Sequence, residues 1–168
     1  MKFLFVAGLA FAIVLLSGCV GPDTVPVDTS ISSGVEPTEI TSFSNSNREI
    51  CKQDGKPIIR QFSTTWCPHC IWVKSAYDST VREYVEQGKI VAYHWELDTE
   101  DDTLTAAAEG GVPESELEVF RKFNPRESIP TFVFGCKYYR VGNGFENGDD
   151  ITAEIGEFKA VIEELLKE

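Results

Sequence analysis

A strand that runs straight into a helix, with two cysteines at the joint, constrains this chain more than any other feature. The stretch "KPIIRQFS", from Lys56 to Ser63, is rich in β-branched and apolar residues and opens next to Pro57, which reads as a short strand. It is followed by "TTWCPHC", and then Ile71, Ala76, Tyr77, Val81, Tyr84 and Val85 recur at helical spacing. Lys74, Asp78, Arg82 and Glu86 take the opposite side, and Gly88 stops the helix. "KIVAYHWELD", residues 89 to 98, reads as a second strand, so the unit is strand, helix, strand, with the two strands parallel.

The joint has chemistry. Cys67 falls at the start of the helix, near unpaired backbone N–H groups and the positive end of the helix dipole, and both favour thiolate over thiol. Pro68 suits the first helical position, where no N–H is needed. Cys70, three residues on, shares a face with Cys67, so the pair can close a small disulfide ring and reopen it. Cys67, nearer solvent, is the expected attacking sulfur and Cys70 the resolving one. His69 adds a titratable positive charge beside them, which favours the reduced form and makes the disulfide more oxidising.

Two other uses of this spacing have to be weighed. A Cys-x-x-Cys can be half of a zinc site, but a second close pair is required, and Cys51 and Cys136 stand far apart. A structural staple is the other, yet a loop so short constrains little of the unfolded chain.

Elsewhere the chain alternates similar elements. Ser46 and Glu49 match a capping box opening a short helix through Cys51 to Gly55. Residues 99 to 128 suggest two small helices, "DDTLTAAAE" and "PESELEVFRKF", parted by Gly110 and Gly111. "IPTFVFG" and "KYYRVG" read as strands joined by a tight turn at Gly135 and Cys136. A Gly-rich loop, "GNGFENGDD", then leads to a last helix from about Ile151 to Lys167, whose apolar stripe includes Ile155, Phe158, Ile162 and Leu165.

The N-terminus carries an address. Lys2 and an uncharged apolar run from Phe3 to Leu16 have the shape of a signal peptide and are short for a membrane span. The run ends in Leu16, Ser17, Gly18 and Cys19, which resembles the lipobox of prokaryotic lipoproteins. That resemblance implies cleavage after residue 18, a lipid anchor on Cys19, and an extracytoplasmic location at the membrane or cell surface. Val20 beside the anchor would suit outer-membrane sorting in a cell with two membranes. Residues 19 to 47, rich in Ser, Thr, Pro and acids, read as anchor plus flexible tether, with a coil span of about 30 Å. The domain is then 48–168. A net charge of −12, one unit more negative without Lys2, argues against nucleic acid and against adhesion to anionic lipid. With Cys19 acylated, four cysteines remain, and four allow three pairings.

Two separated motifs carry a family resemblance. "WCPHC" opening a helix, and "SIPTFVFG" about sixty residues later, resemble the thioredoxin superfamily, in which the dithiol faces a cis-proline. The resemblance covers residues 48 to 168. It implies an α/β thioredoxin fold with a central mixed four-stranded sheet flanked by helices and a short helical insertion before the cis-proline, here Pro130. It also implies a substrate groove around Trp66, Pro68, Ile129, Pro130 and Thr131, and exchange with extended segments of exported proteins, thiol or disulfide. No dissociable cofactor or metal is needed, because the dithiol carries the electrons; a membrane redox partner would renew it. In that fold Cys51 and Cys136 both fall at the pole opposite Cys67, which implies a structural disulfide worth about 4 kcal/mol in the chain-entropy model.

The Pro-His dipeptide is that of Dsb-type disulfide oxidases, while Ile129 looks like thioredoxin itself. Gln61 stands where thioredoxins carry a proton-relaying aspartate. His94 and Glu96 alternate on the second strand, as a solvent-facing or small polar pair or as a substitute relay. Trp72 and Trp95 read as packing residues. The expected function is thiol–disulfide exchange in the oxidase or isomerase direction, with a membrane-fed reductase, or a metal-handling or protein-binding module without turnover, as alternatives.

Overall fold

The computed structural model of the protein describes residues 31–168. The expected signal peptide at 1–18, the expected anchor at Cys19 and the first part of the expected tether lie outside the described residues. In chain order the elements are β1 (Ser44–Asn45), β2 (Lys52–Gln53), β3 (Lys56–Ser63), α1 (Pro68–Glu86), β4 (Val91–Glu96), β5 (Asp101–Asp102), α2 (Glu114–Phe123), β6 (Thr131–Phe134), β7 (Tyr138–Val141), a 3₁₀ turn (Glu146–Gly148) and α3 (Ile151–Leu165).

These make a mixed α/β structure with three α-helices among the described residues and one open sheet in the order β1-β7-β6-β3-β4-β5, with β2 as a hairpin arm on β3. β3 is the central strand: it runs parallel to β4 and antiparallel to β6, with Gln61 opposite His94 on one side and Phe132 on the other. Seven of its eight residues are buried, as expected of a strand covered on both faces. The sheet is larger than the four strands expected. β7, β6, β3 and β4 carry the long pairings, and the two-residue strands β1 and β5 extend the edges.

Alternation along β3 sorts the core into two layers. Ile59 faces α1 and α3 among Val73, Tyr77, Phe132, Phe134, Phe158 and Ile162. Phe62 faces the other way, among Trp95, Phe120, Phe123 and Val133, under α2. Arg60 on that second face holds α2 by a two-pronged pair with Glu116, Nε to Oε2 at 2.6 Å and Nη2 to Oε1 at 3.0 Å.

Both added strands come from segments that the sequence pattern assigns otherwise. The capping box at Ser46 does not form. The Ser46 hydroxyl donates instead to the Cys136 carbonyl, and the Cys51 N–H to Gly135 O, so the chain is tied beside the β6–β7 turn. Gly55 is no helix stop: Asp54 (φ 51°) and Gly55 (φ 78°) form the turn of the β2–β3 hairpin, the Asp-Gly pair that favours this geometry. Residues 101–109 are likewise not helical. Asp102 accepts the N–H groups of His94 and Leu104, and Glu109 accepts that of Asp102, so carboxylates take the local donors that a helix would need.

The later part of the proposed tether is a strap on the domain. Phe43 lies in the first core layer, its ring 5.0 Å from that of Phe134. Glu157 on α3 accepts the backbone N–H groups of Thr41 (2.5 Å) and Ser42 (2.6 Å). Arg140 on β7 lies over the rings of Phe43, Phe132 and Phe158 and pairs with both Glu157 and Glu154. A lone buried guanidinium would be costly; two carboxylates and three ring faces make this one tenable.

The disulfide between Cys51 and Cys136 is present, with Cα atoms 5.3 Å apart, at the end of the sheet where β3 begins. Cys67 and Cys70 are free thiols at the other end.

Candidate active site

Cys67 is the N-cap residue of α1, with extended backbone (φ −78°, ψ 120°), and Pro68 takes the first helical position. No side chain caps this helix start, so the sulfur sits at the positive end of the dipole without a competing carboxylate in the first turn. The Cys67 carbonyl accepts the Ile71 N–H at 3.0 Å, which sets Cys70 one turn in. Both cysteines are more enclosed than expected, Cys67 at 5% exposure and Cys70 at 2%, so exposure barely separates them. Trp66 at 70% and Ile71 at 59% are the large apolar side chains that stand in solvent beside the pair.

The Ile129–Pro130 peptide is cis, and the Ile129 carbonyl oxygen lies 4.0 Å from the Cys67 sulfur. Pro130 itself is buried, and its carbonyl accepts the Gly142 N–H. Thr131 does not reach the groove: its side chain is fully buried, donates to Ser128 O at 2.7 Å and accepts from Asn124 Nδ2 at 2.8 Å. Its hydroxyl holds the turn before β6, because a buried hydroxyl needs partners.

Behind Cys70 lies a cavity of about 250 Å³, lined by Ser63, Thr64, Thr65, Cys70, Ile71, Lys74, His94 and Glu96. His94 and Glu96 share a face of β4, and that face is inward. The His94 Nε2 meets the Ser63 hydroxyl at 2.8 Å, and its Nδ1 meets the Asp78 carboxylate at 2.6 Å. Glu96 pairs with Lys74 at 2.5 Å. The polar pair on the second strand is therefore a buried cluster on the cavity wall. Burial, with smaller contributions from Cys67 and Asp98, pushes the Cys70 thiol up to about 12 against a Thr64 backbone hydrogen bond, so this sulfur holds its proton tightly. Gln61 is fully buried, and neither polar atom of its amide has a hydrogen-bond partner among the described residues.

The chain matches no family model, no curated protein and no solved structure. The chemistry of the site therefore rests on its own residues.

His69 is held from outside the motif. Its Nδ1 lies 2.8 Å and 2.9 Å from the two carboxylate oxygens of Glu146, and its carbonyl accepts from Asn143 Nδ2 at 2.8 Å. Trp72 packs partly against the first core layer and donates its indole N–H to Asp149, while Trp95 is buried against Tyr93. On the other rim, Asp98 accepts the Thr65 N–H at 3.0 Å as well as its hydroxyl, and these bonds outweigh its slight burial and lower its pKa. Neither Glu146 nor Asn143 is legible as a site residue from sequence, since each is one polar residue in a Gly-rich loop about seventy-five positions from His69. Among the described residues no three His, Cys, Asp or Glu side chains come together as a metal cluster, and no helix is long and apolar enough to cross a membrane.

Proposed function

We propose that this protein is an extracytoplasmic thiol–disulfide oxidoreductase of the thioredoxin type, anchored by lipid at Cys19 and acting on exported proteins through Cys67 and Cys70. The observation that carries the reading is a cysteine at a helix N-cap, beside the Ile129 carbonyl, with a second free thiol one turn in. The Cys51–Cys136 disulfide supports an oxidising compartment.

In the oxidising direction a substrate thiolate attacks the Cys67 sulfur of the Cys67–Cys70 disulfide. The bond between the two cysteines breaks, a mixed disulfide forms at Cys67, and Cys70 leaves with the electron pair. Because the Cys70 thiol is pushed up to about 12, it takes a proton at once. The groups that line the cavity with it, His94 with Asp78 behind it and Glu96 with Lys74, would deliver that proton. A second substrate thiolate then attacks the substrate sulfur and expels Cys67. Two electrons have moved from the substrate dithiol to the protein, and a membrane protein bearing a disulfide would remove them. Reduction is the same sequence reversed, and it needs the Cys70 proton to leave by the same cavity.

The reductase reading has one specific support. The Glu146 carboxylate on His69 sets a negative charge near the dithiol, which disfavours the Cys67 thiolate and with it the reduced form. The test is the reduction potential of the pair together with exchange assays. Oxidation of a reduced, unfolded substrate with a potential near about −120 mV fits the oxidase, whereas a value near about −270 mV fits the reductase. Cys67→Ser should abolish exchange, and Cys70→Ser should accumulate a mixed disulfide with substrate visible on non-reducing gels. Exchange that persists in Cys67→Ser would overturn the assignment.

A further inference from the structure

The loop between β7 and α3 reaches over the start of α1, beside the two free cysteines. It is anchored from below: the buried carboxylate of Glu154 accepts the N–H groups of Gly144 (2.9 Å) and Phe145 (3.0 Å) and pairs with Arg140. A Cβ at Gly144 would stand 2.6 Å from Arg140 Nη1 and 2.7 Å from Ser42 Oγ, so a larger residue there would displace these side chains. From that base the loop reaches over the first turn of α1 at three points. Asn143 Nδ2 donates to the His69 carbonyl at 2.8 Å and to Glu146 at 2.9 Å. Glu146 takes His69 Nδ1, and Asp149 takes the Trp72 indole N–H at 2.8 Å.

The His69 side chain is 62% exposed, so packing alone would leave its ring free to turn. Glu146, whose side chain is 29% exposed, instead fixes the ring through Nδ1. This places a hydrogen on that nitrogen and leaves Nε2 as the atom available to the dithiol or to a substrate. It also sets a negative charge against whatever positive charge the ring carries. Both effects pass through His69. Neither requires Glu146 to touch a sulfur.

We propose that Glu146 is a positioning residue of the redox centre, which fixes the His69 imidazole and thereby sets how far His69 shifts the equilibrium between the Cys67/Cys70 dithiol and disulfide. This rests on the redox reading of that pair. A clasp that merely braced the loop would alter stability and leave the contribution of His69 unchanged.

A double-mutant cycle separates the two. The full chain, Glu146→Gln, His69→Ala and the double variant are equilibrated with reduced and oxidised glutathione. Disulfide plus two glutathione thiols gives dithiol plus glutathione disulfide, and alkylation followed by mass measurement reads the reduced fraction. The effect of His69→Ala on the equilibrium constant is expected to differ by about threefold or more between the chain with Glu146 and the chain carrying Glu146→Gln, a coupling of about 14 mV. A difference below about threefold overturns the proposal while the redox reading stands. A pair that does not exchange with glutathione at all overturns both. Trp72→Phe, which removes the indole N–H held by Asp149 and touches neither Glu146 nor His69, serves as a second variant and is expected to retain at least half of the coupling, expressed in millivolts, between His69 and Glu146. Loss of most of the coupling in Trp72→Phe would assign the effect to general bracing of the loop and overturn the role of Glu146.

Discussion

One side chain near the end of the sheet that carries the free thiols is costly to bury. Gln61 is buried on β3 with both amide atoms unpartnered among the described residues, and an unpaired buried amide costs about 1 to 3 kcal/mol. Gln61→Leu, nearly the same in volume, is expected to raise stability by about 1 kcal/mol in denaturant titration; a loss of stability would mean that the amide is satisfied in solution. Gln61 stands where the family that the sequence resembles carries a proton-relaying aspartate. The groups found around Cys70 are His94, Glu96, Lys74, Ser63 and Asp78. They come from β3, α1 and β4, and no spacing in the sequence announces a cavity between three elements.

The elements follow their local signals where burial reinforces them and depart where side chains compete for the backbone. α1, α2, α3 and the strands β3, β4, β6 and β7 fall where periodicity and turn residues put them, because each has an apolar face that the core rewards. The short helices expected at 46–55 and 101–109 do not exist, because Ser46, Asp102 and Glu109 spend their oxygens on other backbone groups. Glu157 does the same for the strap. Burial opposes its ionisation, but hydrogen bonds from Ser42 and Thr41 and the charge of Arg140 prevail, so its pKa lies below the ordinary 4.5. A carboxylate with a lowered folded value contributes stability that is present above its unfolded pKa and lost as the pH falls through the folded one. Glu157→Gln is therefore expected to cost about 2 kcal/mol at neutral pH, and the difference from the parent should shrink between about pH 5 and pH 3. Thermal midpoints of both proteins across that range check it, and a constant difference would remove the carboxylate from the account.

At the scale of the whole molecule, the two ends of the sheet do different work. One end is tied by Cys51–Cys136, whose sequence separation is 85, and the other carries the free thiols. Closing so long a loop limits the unfolded chain, so Cys51→Ser with Cys136→Ser is expected to lower stability by about 4 kcal/mol. Denaturation in guanidinium measures it, and because the bridge is far from Cys67, glutathione exchange at the dithiol should be unchanged. A shifted exchange constant would show that the two ends are coupled.

The sequence by itself determined the strand, helix and strand around Cys67 and Cys70, because period and spacing express local patterns directly. That the Cys67 turn faces Ile129–Pro130 and that Cys51 pairs with Cys136 was implied only by the family resemblance, since four cysteines allow three pairings, and the structure has both. Only the tertiary structure decided that Phe43 and its neighbours strap onto the domain, that His94 lines a cavity with Cys70, and that Glu146 holds His69. Each of those depends on a charged or polar side chain finding one partner among many at long range. The chain has 27 acidic residues, and composition does not say which of them will be desolvated beside a given donor.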